Sequence, residues 1–510
     1  MSAKIQNMEP IPMALLFVVI PFLFLLRLIY QLGRKPFPPG PKGLPITGTM
    51  LMMDQLTHRG LAKLARRYGG IFHLEMGCIH IVAISNPEMA GQVLQFHDSI
   101  FSNRPATIAI SYLTYDRADM AFAHYGPFWR QMRKLCVVKL FSRKREESWE
   151  SVRDEVENLV QAVSSCDGKA INVGELIFNL TKSITYRAAF GSSSQEGQDE
   201  FIKILKEFSK LFGAFNIADF VPWLGWVDPQ GLNARLQKAR FALDKFIDTI
   251  IDDHIQKRKS YVNGGGRGGD YGETDMVDEL LAFYCEEAKV NESDDLNSIR
   301  LTRDNIKAVI MDVMFGGTET VASAIEWALT ELMRTPEDMK RVQWELAEVV
   351  GLDRRMEESD LDKLPYLKCC LKETLLLHET AEEAVVPGYR IPAKSRVMIN
   401  AWAIGRDKDS WEDPESFRPS RFLNEGAPDF KGGNFEFIPF GSGRSSCPGM
   451  QLGLYALDLA VGHLLHCFTW ELPDLMKPTE LDMSDEFGLT APRAARLNGV
   501  PMKRVVCPLF

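Results

Sequence analysis

The residues best suited to chemistry lie in one short run, Phe440-Gly-Ser-Gly-Arg-Ser-Ser-Cys447-Pro-Gly449. A cysteine sits there in a Gly- and Pro-rich loop, and an apolar helical pattern over 450–467 begins directly after it. The positive end of that helix and loop amides aimed at sulfur both favour the thiolate, which is the metal-binding form. Gly443 and Gly449 let the backbone lie flat beside a planar group, with Phe440 at the head of the loop. A lone cysteine is ordinarily a small buried core residue. The spacing F-x-x-G-x-x-x-C-x-G points instead to a sulfur ligand on haem iron, where an axial thiolate favours O–O cleavage.

A second run, Phe315-Gly316-Gly317-Thr318-Glu319-Thr320, interrupts the middle of a long helical pattern over 303–334. Two glycines inside a helix cost about 2 kcal/mol against alanine, so something must approach closely there. A flat ligand would do so, and so would a tight crossing with another helix. Beside a haem, Glu319 and Thr320 form an acid–alcohol pair able to accept hydrogen bonds and pass protons to bound oxygen.

These runs need a frame. Helical periodicity occupies 147–165, 198–212, 232–258, 275–288, 303–334, 336–350, 364–378 and 450–467, with strand-like pieces at 70–76, 79–84 and near 386–399. The pattern predicts one large, mainly α domain with small β-sheets, undivided by any linker. The glycine-rich stretch at 263–272 reads as a surface loop, and it lacks the Lys-Ser/Thr pair of a phosphate loop.

With these features in place, the chain resembles the cytochrome P450 family of haem-thiolate monooxygenases, of the plant microsomal type. The resemblance rests on the hinge PPGPKGLP, on Trp129-Arg-Gln-Met-Arg133, on GGTET, on Phe417-Arg-Pro-Ser-Arg-Phe422 and on the cysteine loop. The runs TRDNIKAVIMDVMFGGTETVASAIEWALTELM, KSRVMINAWAIGRD and DEFGLTAPRAARL are similar to the ferulate (coniferaldehyde) 5-hydroxylase group. The resemblance implies a cytochrome P450 fold and haem b, with Cys447 as axial ligand. It implies that Trp129 and Arg133 bind a haem propionate, that Gly316 and Gly317 lie at the haem, and that Thr320 with Glu319 handles oxygen and protons. Glu373 and Arg418 would form a charge cluster behind the cysteine loop. Val313, Phe315, Leu489 and Thr490 would touch substrate, together with the segment 108–119. The expected reaction is 5-hydroxylation of a guaiacyl phenylpropanoid (ferulate, coniferaldehyde or coniferyl alcohol) on the route to syringyl lignin. It would use O2 and electrons from NADPH-cytochrome P450 reductase. A flavonoid ring hydroxylase would carry the same motifs.

Two positions depart from the family pattern. An E-x-x-R motif should place an Arg one turn after Glu373, but Leu376 stands there, and the Pro-rich stretch expected next is missing. The short distance to Val386-Pro387-Gly388 points to a deletion. Ser445 stands where the family has a propionate-pairing Arg. Loss of one partner from a buried ion cluster costs about 3–5 kcal/mol. A catalytically impaired relative is therefore the competing expectation.

Composition sets the outer bounds. The 510 residues carry net charge −9, with 45% hydrophobic and 25% charged, so a disordered chain is excluded and nucleic acid is not the expected partner. Nine scattered cysteines without a CxxC pair suit reduced thiols facing cytosol. The apolar run at 11–26, continued past Arg27 to Tyr30, is long enough for one membrane span, and Arg34 and Lys35 put the chain beyond them on the cytosolic side. The expected plan is a lumenal 1–10, a transmembrane anchor at 11–30, a basic, proline-rich hinge at 31–45 and a catalytic domain at 46–510. The whole would be held at the endoplasmic reticulum membrane. The basic residues Arg130, Arg133, Lys134, Lys139, Arg143, Lys144 and Arg145 suit an acidic redox partner.

Overall fold

A computed structural model describes residues 36–44, 47–50, 52, 57–104, 107–142, 146–191, 198–226, 228–263, 275–285, 300–373, 377–378, 384–386, 389–392, 395–486 and 490–506. The apolar run at 11–30, Leu376 and Leu489 lie outside the described residues. In chain order the main helices are α1 (His58–Tyr68), α2 (Ile108–Leu113), α3 (Pro127–Leu135), α4 (Glu146–Ser164), α5 (Val173–Phe190), α6 (Gln198–Gly213), α7 (Leu232–Asn263), α8 (Met276–Leu281), α9 (Arg303–Arg334), α10 (Pro336–Val349), α11 (Pro365–Lys372) and α12 (Met450–Cys467).

The central element is α9. Thr302 and Asn305 form a reciprocal capping box at its start, and Pro336, which cannot continue it, opens α10 at its end. Its length and apolarity would suffice to cross a membrane, yet it is mostly buried within the molecule and is a core helix. One end of α9 packs with α4, α5, α10 and α12 in a core that includes Ile177, Ile325, Leu329 and Leu464. The other end packs with α3, α6, α7 and α8 around Leu135, Phe201, Leu243, Val277 and Ile310. The helix α5 was not expected. Its caps, Asn172 before and Gly191 after, were legible, but its apolar and β-branched residues give a weak amphipathic signal because much of its surface is buried.

The strands β1 (Ile71–Met76) and β2 (Ile79–Ile84) form an antiparallel hairpin. Parallel to β2 runs β7 (Arg396–Asn400), which also pairs with β4 (Leu377–His378). A second sheet joins β3 (Ile171–Asn172), β9 (Asn498–Lys503) and β8 (Phe468–Glu471), and β5 (Ala384–Val386) with β6 (Tyr389–Ile391) makes a hairpin. The described part of the proline connector is not a free spacer. The Phe37 ring stacks on His73, 5.1 Å between centroids, and the His73 amide donates to the Pro39 carbonyl at 2.8 Å.

Helix α11 stops at Lys372, although the apolar pattern predicts helix to 378. Only residues 373–376 separate its end from β4. Pairing of Leu377 with Asn400 takes the residues that would have formed the last helical turn.

Candidate active site

The Cys447 loop is fixed from three sides. The Cys447 amide donates to the Phe440 carbonyl at 2.8 Å, and the Ser442 hydroxyl donates to the Gly432 carbonyl at 2.6 Å. Gly443 has φ +68, and a Cβ there would meet the Leu94 carbonyl oxygen at 2.4 Å, so the turn requires glycine. Burial pushes the Cys447 thiol up, while the Gly449 amide and the Arg133 charge pull it down. A metal cation at sulfur would outweigh that burial. Buried Cys136 and Cys370 have no backbone amide lowering their thiols as Gly449 does for Cys447.

Arg133 on α3 reaches into this loop. Its guanidinium donates to the Ser446 carbonyl at 2.6 Å and lies 5.4 Å from the Trp129 ring centroid. The two residues predicted for one propionate thus stand together beside Cys447. Arg444 does not stand in for the Arg that Ser445 replaces. It turns outward to Asp98 at 3.0 Å and donates to the Tyr125 hydroxyl.

On α9 the two predicted glycines part company. A Cβ on Gly316 would meet no atom within 4 Å, which is the open face a flat group requires. A Cβ on Gly317 would lie 3.1 Å from Thr185, so Gly317 serves the crossing with α5 rather than the haem, a correction to the sequence reading. Thr320 donates to the Gly316 carbonyl of its own helix. Glu319 turns another way and accepts from Ser209 on α6 at 2.9 Å and from Thr490 at 3.3 Å. Ser209 carried no sequence signal, being one of several polar residues on an amphipathic helix. Phe315 meets Phe212 of α6 with centroids 5.5 Å apart, and Phe212 stacks on Phe122 at 5.6 Å. Val313 lies partly buried against the same core as Phe315.

The charge cluster differs from the expected one. Arg418 pairs with exposed Glu412 at 3.6 Å, and only its backbone N–H serves Glu373. The partner of Glu373 is Arg421, at 3.3 Å, both side chains being largely buried. The 3-10 turn Pro419–Phe422 directs Arg421 inward and leaves Arg418 outside. Burial raises the Glu373 carboxyl, opposed by Arg421, the Arg418 amide and Arg406. Its Oε2 has no hydrogen-bond partner among the described residues. A buried carboxylate oxygen without a donor is a place where a further hydrogen-bond donor could bond.

The residues present therefore fit haem: a sulfur donor with an aimed amide, a cation and an indole beside it, and a glycine with open space on α9. Comparison with known proteins agrees. The cytochrome P450 family model matches residues 38–496. Cytochrome P450 84A1 of Arabidopsis thaliana is 70% identical over 508 residues, covering 98% of this chain and 97% of that protein. Cytochrome P450 71A1 of Persea americana is 41% identical, covering 87% and 89%. A solved zebra fish cytochrome P450 with progesterone superposes with TM-score 0.72 at 24% identity, covering 87% and 99%, which shows the shared fold. A cysteine loop framed by glycines and reached by Arg133, an open glycine on α9 and a family match over nine-tenths of the chain converge on one conclusion: it belongs to the cytochrome P450 family, the haem-thiolate monooxygenases.

Proposed function

We propose that the chain hydroxylates the 5-position of a guaiacyl phenylpropanoid ring, as ferulate and coniferaldehyde 5-hydroxylases do. The carrying observation is the aromatic wall of Phe122, Phe212 and Phe315, which meets α9 at the residue before Gly316, a glycine with open space at its Cβ position. Offset stacking on such a wall suits a flat phenolic ring, and the hydroxyls of Ser209 and Thr490 around Glu319 suit its polar substituents. Haem, when bound, supplies O2 activation and transfer of one oxygen atom, with two electrons from a reductase and two protons releasing the other atom as water. The chain's part is to hold the ring, exclude water behind Phe122 and Phe212, and offer the Thr320 hydroxyl and Glu319 carboxylate as proton carriers. Exposed Arg130, Lys134, Val137 and Val138 form a basic and apolar face on the cysteine side, fitted to NADPH-cytochrome P450 reductase. The apolar run at 11–30 would anchor the chain in the endoplasmic reticulum membrane, with the catalytic domain in the cytosol.

A second reading, a monooxygenase impaired as it stands, is favoured by the unpartnered Glu373 oxygen and by Ser445. One experiment addresses both. The chain, with and without an inserted Arg-containing, Pro-rich segment after Leu375 together with Ser445→Arg, is incubated with reductase, NADPH and coniferaldehyde, ferulate or a flavonoid. The expected product is the 5-hydroxylated guaiacyl compound, strongest in the restored chain. Preference of the restored chain for the flavonoid would overturn the substrate assignment.

A further inference from the structure

Beside the aromatic wall, two carboxyl groups come together on one stretch of loop backbone. Asp119, in the loop after α2, is wholly buried, and its carboxyl and that of Asp312 on α9 gather round the same three backbone amides, close enough for each to act on the other's charge. The loop backbone wraps this pair. Met120 and Ala121 amides donate to Asp312 Oδ2 at 2.9 and 3.0 Å, and the Phe122 amide donates to Asp119 Oδ1 at 3.1 Å. The remaining oxygen, Asp119 Oδ2, receives no N–H or O–H donor among the described residues. Two acceptors so close are compatible only if a proton lies between them.

The loop they hold is strained. Tyr115, Asp116 and Arg117 all have left-handed φ, at 55, 58 and 65, a conformation that non-glycine residues keep only where their surroundings enforce it. Tyr115 is tied to Asp244 at 2.7 Å, and the Ala118 carbonyl accepts from Asn305 of α9 at 2.9 Å. Arg117 also meets His124, the Tyr125 amide donates to Asn103 at 2.7 Å and the Phe122 ring stacks on Phe212, while the carboxyl pair is what fastens the backbone of 120–122 to α9.

We propose that Asp119 and Asp312 share one proton and act as a clasp, two positioning residues that hold the Phe122 wall against α9 only while that proton is present. This rests on the wall being the substrate-facing side. Burial raises both carboxyls, pushing Asp312 up to about 6 and Asp119 well above its ordinary value. Other groups facing the pair are Arg104, whose charge favours ionised Asp312, and the buried thiol of Cys136 with Arg133 beyond it. Because both values are raised, closure is complete at low pH. It survives the first ionisation near 6 and is lost as pH rises until Asp119 surrenders the shared proton.

Hydrogen exchange of the full chain from pH 5.5 to 9 tests this. After correction for intrinsic exchange, protection at Met120, Ala121 and Phe122 should fall at least tenfold toward alkaline pH, while Ile325 and Leu329 stay constant. In Asp119→Asn the side-chain amide donates to ionised Asp312 with a proton that does not titrate, so the alkaline loss of protection should disappear. A flat wild-type profile, which needs no variant to fold, would overturn the clasp, as would an unchanged slope in Asp119→Asn. Binding of coniferaldehyde should weaken about tenfold over the same range in the wild type alone. A confirmed clasp with pH-independent binding would overturn its role in positioning the wall, while leaving the carboxyl pair itself intact.

Discussion

Single side chains decide where this molecule is strong and where it is weak. Glu326 on α9 is wholly buried, accepts from the Arg496 guanidinium and the Leu497 amide at 2.8 Å each, and has Arg493 4.0 Å away. It fastens the C-terminal segment to the central helix, and a Cβ on Gly174 would strike it at 2.2 Å. Glu326→Gln would leave buried Arg493 without its counter-charge and should cost about 3 kcal/mol in denaturant unfolding. A loss below about 1 kcal/mol would show that the arginines find other partners. Cys447 was legible in the sequence because its loop has a fixed spacing of glycine, proline and sulfur. Arg421 was not. Phe417-Arg-Pro-Ser-Arg-Phe422 offers two arginines three residues apart, and only the turn between them shows which one faces Glu373. Glu326, Asp312 and Ser209 gave no signal, because a buried polar residue on an apolar helix declares itself only through partners distant in sequence.

Among the elements, the long helices were readable wherever one face was wet, as in α6 and α10, whose apolar residues keep helical spacing. Pattern reading failed where tertiary pairing competes, as at the end of α11, where β4 claims residues that local propensity gives to helix. The paired glycines of α9 show why element context matters. Gly316→Ala gains helix propensity of about 1 kcal/mol and meets nothing, so the protein without haem should unfold at a higher temperature. Gly317→Ala gains the same propensity but presses on Thr185 at 3.1 Å, and its midpoint should lie below that of Gly316→Ala. Adding Thr185→Ala should close the gap. Equal midpoints for the two single variants would show that α5 yields freely and that Gly317 does not serve the crossing.

At the scale of the whole molecule, the fold follows from one buried helix with a core around each end. That arrangement brings the α3 arginine to the cysteine loop and packs α12, which follows the loop, against α9, joining distant parts of the sequence. The mainly helical class with small sheets could be read from periodicity. The docking of the proline connector on β1 could not, because it depends on Phe37 meeting His73 across the fold. One weak point in the frame is the end of α11 at Lys372, where a Glu373 oxygen has no donor among the described residues. Without that donor the thiolate should be released more readily, even though Phe440 and Gly432 hold the loop backbone. The most direct test is the carbon-monoxide difference spectrum of the reduced protein, recorded for the chain as it stands and for the restored chain carrying the inserted segment and Ser445→Arg. The unrestored chain should show little of the thiolate-type band. The restored chain should show it in full, and Cys447→Ala in that background should abolish it. A full thiolate band from the unrestored chain would contradict the account.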